Sequence, residues 1–172
     1  MFSIVKNNDL YELLIDSLKK NKNFNRFIIK DKYFYKKIIQ NKKYDLIINC
    51  DATSEISKRY FYRKFLKNYK STAYVTTINH NKTENKKAIQ IFTKYGPIAF
   101  LPISESQTSI VYSIKNKSIN MNSNLSQSTF EKLIFENNKG YEIKSINKFE
   151  TFILKSKILR NYCNKNILAF GD

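Results

Sequence analysis

Four short β-rich runs between residues 71 and 115 place the strongest constraint on the fold of this chain. They cover residues 71–79, 88–94, 97–103 and 107–115, with turn residues between them. Short runs of this kind, separated at regular intervals by turn signals, are typical of an antiparallel sheet. Gly96 and Pro97 separate the second run from the third, because that pair of residues marks a break in regular structure. The sequence therefore predicts an antiparallel sheet in the middle of the chain.

Two compact apolar runs flank this block. Tyr44–Cys50 (YDLIINC) and Asn166–Phe170 have the pattern of short, buried strands in a parallel sheet. Before them, leucines at helical spacing predict an amphipathic helix over residues 9–20. The order of elements indicates a mixed α/β (α+β) fold, in which an antiparallel sheet domain is inserted into a nucleotide-binding α/β framework.

Weaker patterns predict further elements. Phe27–Lys30 and Tyr33–Gln40 resemble short strands joined by a turn at Asp31, because both are rich in aromatic and β-branched residues. A helix is predicted over Thr129–Glu136, after serine residues that can cap it. Residues 79–87 are predicted to form a polar loop.

The formal charge of +17 comes from 31 Lys and Arg residues against 14 Asp and Glu residues. A nucleic-acid-binding surface is one interpretation of this charge. The lysines are scattered, however, in doublets such as Lys19-Lys20 and Lys42-Lys43, and only four arginines are present. Because arginine reads bases and phosphates better than lysine does, its scarcity favours a general bias toward lysine. The charge could still draw the protein to anionic lipid headgroups.

Residues that could carry catalysis or bind a metal are scarce. The single histidine, His80, lies in the predicted polar loop, where solvent exposure is the simplest interpretation. Cys50 and Cys163 are far apart in sequence, which favours a reduced cytoplasmic protein over a disulfide framework or a metal site. The three glycines, at positions 96, 140 and 171, cannot make a phosphate-binding loop. We therefore assign no catalytic residue and expect no metal.

Two acidic residues lie where a nucleotide site would need them. Asp51 follows the first apolar run and precedes small residues, and Asp172 follows the second run and a glycine. An acid at the carboxyl end of such a strand can accept hydrogen bonds from ligand hydroxyls. An aspartate that only caps the next helix is an equally good interpretation of position alone.

Four stretches, in order along the chain, resemble the UbiH/UbiF group of FAD-dependent aromatic-ring hydroxylases of ubiquinone biosynthesis. The third of them is the most specific, because its Phe-Thr, Gly-Pro and Leu-Pro pairs keep the relative spacing of the family. The stretches are FSIVKNNDLYELLIDSL (Phe2–Leu18), YDLIINCDATSEIS (Tyr44–Ser57), QIFTKYGPIAFLPISESQTSIVY (Gln90–Tyr112) and FETFILKSKILRNYCNKNILAFGD (Phe149–Asp172).

The resemblance implies a monooxygenase that binds FAD, takes a hydride from NAD(P)H and uses O₂ to hydroxylate an aromatic polyprenyl precursor of ubiquinone. Asp51 and Ala52 match the family's Asp-Gly motif, which lies near the FAD pyrophosphate and is linked to nicotinamide-cofactor binding. Gly171 and Asp172 match its Gly-Asp motif, whose acid contacts FAD hydroxyls. The resemblance further implies that the inserted sheet forms the floor of the substrate pocket, shaped by Gly96, Pro97 and Pro102.

The resemblance also divides the chain into domains. Residues 1–58 and 151–172 correspond to parts of the FAD-binding domain, and residues 59–150 correspond to the substrate domain. It implies a cytoplasmic protein, with peripheral association to the inner membrane or to a ubiquinone-biosynthesis complex. It predicts that Asp51 and Asp172 lie together at the ends of neighbouring strands.

The sequence departs from the family in three places. The family's Gly-x-Gly-x-x-Gly motif is absent, and Ala52 replaces a glycine that could need a positive φ or a close backbone approach. The sequence also ends at the Gly-Asp pair. An internal fragment that is inactive alone is therefore expected. The alternative is a non-enzymatic basic domain that binds nucleic acid or an anionic membrane surface, with nucleic acid the less favoured of the two.

Overall fold

A computed structural model of the chain describes residues 5–28, 32–40, 44–117 and 125–171. Asp31 and Asp172 lie outside the described residues. The helices are α1 (Asn7–Lys19), α2 (Lys32–Gln40), α3 (Glu55–Tyr60) and α4 (Gln127–Glu136). The strands are β1 (Ile47–Asn49), β2 (Lys64–His80), β3 (Ile89–Thr93), β4 (Gly96–Ser104), β5 (Gln107–Lys115), β6 (Ile143–Ile146), β7 (Glu150–Leu159), β8 (Cys163–Asn164) and β9 (Ile167–Ala169).

The chain divides into two compact units. We call Met1–Ser17 with Asn68–Leu154 the antiparallel unit, and Leu18–Lys67 with Lys155–Asp172 the parallel unit. The combination of helices with a mostly antiparallel sheet confirms the predicted mixed fold class. The domain ranges 1–58, 59–150 and 151–172, with their cofactor and substrate roles, stay predictions.

The antiparallel unit is built on the block of β-rich runs. Its sheet has the strand order β3-β4-β5-β2-β6, and β7 also pairs with β2. The pairs from β3 to β6 are all antiparallel, which confirms the predicted sheet. Strand β5 shows why this sequence forms a sheet: Thr108, Ile110, Tyr112 and Ile114 are buried at every second position. That alternation directs one side of the strand into the core.

Helix α4 packs on the core of this unit. It buries Phe130, Leu133 and Ile134, and the ring of Phe130 lies 5.6 Å from that of Tyr74 on β2. The hydroxyl of Ser126 accepts a hydrogen bond from the backbone N–H of Thr129 (3.2 Å) and so caps the helix. The predicted helix is therefore confirmed, and it begins two residues before Thr129.

The parallel unit contains the two compact apolar runs. Strand β1 pairs in parallel with β9, with Ile47 opposite Ile167 and Asn49 opposite Ala169. Strand β8 pairs antiparallel with the other edge of β9. The parallel character predicted for both runs is thus confirmed. Ile56 of α3 and the following Phe61 form a small core with the buried residues of β9.

The prediction of a strand over Tyr33–Gln40 is wrong, because the chain forms helix α2 there. Tyr35 and Ile39 are four residues apart, and both pack against the small core around Ile56. Residues four apart share one face of a helix, so this packing outweighs the β propensity of the aromatic and β-branched residues. Phe27 and Ile28 form no strand either, and the rest of Phe27–Lys30 lies outside the described residues.

Candidate functional site

The parallel pairing of β1 with β9 brings two of the predicted motifs to one edge of the sheet. Asn49 lies opposite Ala169, so both strands end together, and Asp51 and Gly171 each follow two residues later. The backbone N–H of Phe170 donates to the carbonyl oxygen of Asn49 (3.0 Å), which extends the contact beyond the strands. The structure therefore places Asp51, Ala52 and Gly171 at neighbouring strand ends.

Asp51 organises the turn that follows β1. Its Oδ1 accepts hydrogen bonds from the backbone N–H of Thr53 (2.7 Å) and from the hydroxyl of Thr53 (2.6 Å). The pKa of Asp51 is lowered from its ordinary value of 3.8. The main cause is the hydrogen bond from the Thr53 hydroxyl, and the next is the bond from the Thr53 backbone N–H. Asp51 does not cap helix α3, because Ser54 holds that position and accepts from the N–H of Ser57. The Asp51 carboxylate is therefore charged at neutral pH and exposed at the strand end.

Asn49 fixes this turn to the end of β1. Its side chain is largely buried, with 9% exposed. Its Nδ2 donates to Oγ of Ser57 (2.7 Å) and to the carbonyl oxygen of Asp51 (3.1 Å), and its Oδ1 accepts from the hydroxyl of Ser54 (2.8 Å). We did not predict this role from the sequence. The available signal was a polar residue at an inward position of an otherwise apolar strand.

Ala52, at the position where the UbiH/UbiF group has glycine, causes no backbone strain here. Among the described residues, the non-glycine positions with positive φ are Lys70 and Lys165, so Ala52 has an ordinary backbone conformation. Gly171 differs, since its φ of 95° lies in a region that favours glycine. A Cβ on Gly171 would meet the carbonyl oxygen of Cys50 at 3.8 Å, which is an ordinary contact. The backbone conformation, and not lack of space, therefore requires glycine at position 171.

A cavity of about 320 Å³ opens at this edge, within the parallel unit. Three lysines line it, and Lys58 is also paired with Glu55 (2.8 Å). Four aromatic residues and parts of both strand ends complete the wall, whereas Asp51 is not part of it. The lining residues are Asn49, Ala52, Ser57, Lys58, Phe61, Tyr62, Lys64, Lys157, Leu159, Tyr162, Ala169, Phe170 and Gly171.

This lining suits an anionic ligand that has a planar ring. Ammonium groups attract phosphate or carboxylate, and aromatic side chains pack against rings. The volume is at the lower end of ligand cavities, enough for part of a dinucleotide. The roles of Lys64 and Lys157 were not predicted from the sequence. The available signal was the absence of any acidic residue between Ile56 and Thr83, around Lys64, and between Thr151 and Gly171, around Lys157.

The residues predicted to shape a substrate pocket all lie on β4 of the antiparallel unit. Gly96 begins the strand after the β3–β4 turn, with φ of 143°. Pro97 pairs with Phe92, and Pro102 pairs with Thr108 beside a register shift. Their role at the floor of a substrate pocket stays a prediction.

The expectation that His80 is exposed in a polar loop is wrong. Strand β2 continues to His80, whose side chain is only 2% exposed. Its Nδ1 lies 2.7 Å from the carbonyl oxygen of Asn81, and its Nε2 lies 3.0 Å from Oγ1 of Thr108. Both ring nitrogens are therefore engaged inside the protein, as in a structural histidine. Burial at every second residue of β2 explains its position, since it continues the inward series Tyr74, Thr76 and Ile78.

The part of the chain that the structure describes contains no group of three or more His, Cys, Asp or Glu residues that could hold a metal ion. Cys50 and Cys163 are exposed free thiols. Across the same residues, no helix has both the length and the apolar character needed to cross a membrane.

Comparison with known proteins gives a likeness of fold. No family model and no curated protein matches the sequence. The crystal structure of CmlS, a flavin-dependent halogenase, matches 72% of this chain with a TM-score of 0.53 at 10% identity. Tetracycline destructase Tet(51) matches 75% of it with a TM-score of 0.42 at 14% identity. The OxyS anhydrotetracycline hydroxylase from Streptomyces rimosus matches 72% with a TM-score of 0.41 at 8% identity.

The chain spans only part of these proteins, namely 24% of CmlS, 38% of Tet(51) and 25% of OxyS. At such low identity the match to CmlS shows the fold alone, and the two lower TM-scores add no further argument. This chain therefore has the fold of part of a flavin-dependent halogenase. That finding concerns the fold alone and does not separate the UbiH/UbiF group from other proteins that have this fold.

Proposed function

We propose that this chain is part of an FAD-dependent monooxygenase that uses NAD(P)H and O₂ to hydroxylate an aromatic polyprenyl precursor of ubiquinone. The observation that carries the proposal is the parallel pairing of β1 with β9, which brings Asp51, Ala52 and Gly171 to one edge beside a cationic cavity. In open α/β sheets, nucleotides bind in the crevice at the carboxyl ends of the strands. The fold likeness to a flavin-dependent halogenase supports the same conclusion.

The residues at this edge fit a dinucleotide cofactor. Lys64 and Lys157 line the cavity, where their ammonium groups would neutralise the phosphates of FAD or NAD(P)H. Tyr162 and Phe170 offer faces for a planar ring. FAD, when bound, supplies the redox and oxygen chemistry that no side chain here provides.

The protein's own part is to hold and orient the cofactor. The hydrogen bonds of Asn49 keep the turn at Asp51 in place before any ligand arrives, which lowers the ordering cost of binding. Oδ1 of the Asp51 carboxylate accepts hydrogen bonds from Thr53. The carboxylate is charged at neutral pH, and a charged carboxylate is a good acceptor for hydrogen bonds from sugar hydroxyls. The narrower substrate assignment, to a ubiquinone precursor, rests on the resemblance of the four sequence stretches.

Titration of the full chain with FAD tests the proposal, with flavin fluorescence and calorimetry as readouts. We expect FAD to bind and Lys157→Glu to weaken its affinity at least about tenfold, because the change places a negative charge in the cavity. Lys139→Glu is the matched control, since Lys139 is exposed in the antiparallel unit and the change in net charge is the same. Failure of the wild-type chain to bind FAD, or equal losses in both variants, would overturn the proposal.

A further inference from the structure

Helix α1 presents an apolar face to solvent. Leu13, Leu14 and Leu18 follow Leu10 at helical spacing, which places all four side chains on one side of a single continuous helix. These side chains are between 41% and 65% exposed, and no residue of α1 is buried. A cluster of large apolar side chains in solvent is typical of a surface that meets a partner.

The charges of α1 argue against lipid or nucleic acid as that partner. Asp9, Glu12 and Asp16 lie along the helix, whereas the basic residues Lys19 and Lys20 come only at its last residue and directly after it. The phosphates of an anionic bilayer or of nucleic acid would repel the three carboxylates. The face therefore requires a protein partner with a positive charge near these acids.

A second copy of the same helix has the charge pattern that this face requires. Lys20 comes eleven residues after Asp9, close to three helical turns, so both lie on the flank of the face beside Leu13. In an antiparallel pair of identical helices this flank faces its own equivalent, and Asp9 of one copy lies near Lys20 of the other. A parallel pair would bring Asp9 against Asp9. Charge complementarity therefore favours two antiparallel copies.

We propose that α1 pairs with α1 of a second copy of this chain, antiparallel and related by a two-fold axis at Leu14. Leu14 then contacts its own equivalent, and Leu10 contacts Leu18 of the second copy, because both lie four residues from Leu14. Asp9 lies within one residue, about 1.5 Å along the helix axis, of the level of Lys20.

The size of this interface sets the expected affinity. Each copy contributes one helix of 13 residues, which is less than a standard protein interface uses. The leucines lose exposed area on pairing, whereas the formal charge of +17 on each copy opposes association. We therefore expect a reversible dimer with a Kd on the order of 10–100 μM.

Sedimentation velocity of the full chain, at concentrations up to roughly 0.5 mM, tests this inference. Salt at about 0.15 M screens charges that are more than about 8 Å apart, so the long-range repulsion between copies is reduced. Leu14→Gln should weaken the dimer at least about tenfold, because two apolar side chains per dimer lose their contact while glutamine maintains the helix. Leu66→Gln is the matched control and should dimerise like wild type, since Leu66 is 65% exposed but lies outside α1.

Charge reversal tests the orientation of the two helices. Asp9→Lys and Lys20→Asp should each weaken the dimer, because each places two pairs of like charges across the interface. An equimolar mixture of the two variants should dimerise about as tightly as wild type, since both pairs then have opposite charges. Mixing does not change the sequence of either helix, so tighter association on mixing reports the contact itself.

Three outcomes of these measurements would overturn the proposal: a monomeric wild type, a Leu14→Gln variant that dimerises as tightly as wild type, or no gain on mixing the two charge variants. Co-sedimentation of a monomeric wild type with phosphatidylcholine vesicles, lost in Leu14→Gln, would identify lipid as the occupant of the face and would also overturn it. Neither Leu66 nor any residue of α1 lines the cavity of the candidate site, so the test is independent of FAD binding.

Discussion

The Nε2 atom of His80 lies 3.0 Å from the hydroxyl oxygen of Thr108, and both side chains are buried in the antiparallel unit. Asn85 donates from Nδ2 to the same hydroxyl oxygen (2.9 Å), so the hydroxyl hydrogen is left to donate to His80. The Nδ1–H of His80 donates to the carbonyl oxygen of Asn81 (2.7 Å). A neutral imidazole with its proton on Nδ1 therefore satisfies every group in this network.

Thr108→Val tests the network. The variant keeps the shape of the side chain but leaves Nε2 of His80 and an N–H of Asn85 with one bond fewer, so we expect the free energy of unfolding to fall by about 1–3 kcal/mol. Urea denaturation followed by circular dichroism measures it. Thr77→Val, on the opposite face of β2, is the matched control and should cost less than about 0.5 kcal/mol. Equal losses in the two variants would show that the network is not the cause.

Gly96→Ala should be among the most damaging substitutions in the antiparallel unit. A Cβ at this position would lie 2.0 Å from the carbonyl oxygen of Ser113, and φ is 143°. Both the clash and the backbone conformation oppose alanine, so we expect a loss of more than about 3 kcal/mol.

Gly140→Ala provides the comparison for this prediction. Its φ of 99° is also unfavourable to alanine, but no atom lies within 4 Å of the added Cβ. The loss should therefore stay within about 1–3 kcal/mol, the cost of backbone strain alone. Thermal unfolding of both variants measures the two losses of stability. A Gly96→Ala protein as stable as Gly140→Ala would contradict the close approach of β4 to β5.

The strands of the antiparallel unit were predictable because their residues alternate between core and surface. Strand β5 buries every second residue from Thr108 to Ile114, and the turn residues around it limit its length. His80 followed the same alternation, but the polar residues after it obscured the end of β2. Helix α2 was not predicted, because Tyr35 and Ile39 share a buried helical face only through packing against the small core around Ile56, whose residues are distant in sequence.

The candidate site was predictable only in part. The apolar runs ending near Asp51 and Gly171 indicated two parallel strands, and a shared sheet edge follows if they are neighbours. The lysines of the cavity come from segments that meet through tertiary structure, so no local pattern indicated Lys64 together with Lys157. Register and side-chain hydrogen bonds, such as those of Asn49, also depend on packing that a single sequence does not reveal.

The pKa of Asp51 should respond to its hydrogen bonds in the order of their strength. Thr53→Val removes the hydroxyl bond, the largest cause of the lowered pKa, and should raise that pKa toward 3.8. Lys58→Met removes only a distant charge, the smallest cause, and should raise it less. Carboxyl-carbon NMR titration measures both shifts. A larger effect of Lys58→Met would show that charge, and not the turn, determines the pKa.

The direction of the pH dependence follows from the same lowered pKa. Because Asp51 binds its proton less readily in the folded chain than in the unfolded chain, it stabilises the fold above the unfolded pKa. That contribution is lost as pH falls through the folded pKa. Asp51→Asn should therefore be less stable than wild type at neutral pH, and this loss of stability should shrink below about pH 4. Denaturation midpoints over a series of pH values give this difference, and one that grew on acidification would have the wrong sign.

A double-mutant cycle between Asn49 and Ser57 tests whether the turn at Asp51 is held to the end of β1. Nδ2 of Asn49 donates to Oγ of Ser57 (2.7 Å), and Ser57 in turn donates to the carbonyl oxygen of Asp51 (2.7 Å). Asn49→Leu and Ser57→Ala should each lower the free energy of unfolding by about 1 kcal/mol or more, since each removes buried or half-buried hydrogen bonds. Their combined effect should be smaller than the sum by about 0.5–1.5 kcal/mol, because the bond between them can be lost only once.

The wild-type protein, the two single variants and the double variant also test whether this turn supports the proposed cofactor site. Asn49 and Ser57 both line the cavity, so loosening the turn should weaken FAD binding in each single variant. Ser128→Ala, at an exposed position near the start of α4 in the antiparallel unit, is a control for both measurements. A coupling energy near zero would show that the turn and the strand end are independent. If the two substitutions are coupled in stability but FAD affinity is unchanged, the turn has only a structural role. A site that the turn preorganises would bind FAD more weakly once the hydrogen bonds of the turn are removed.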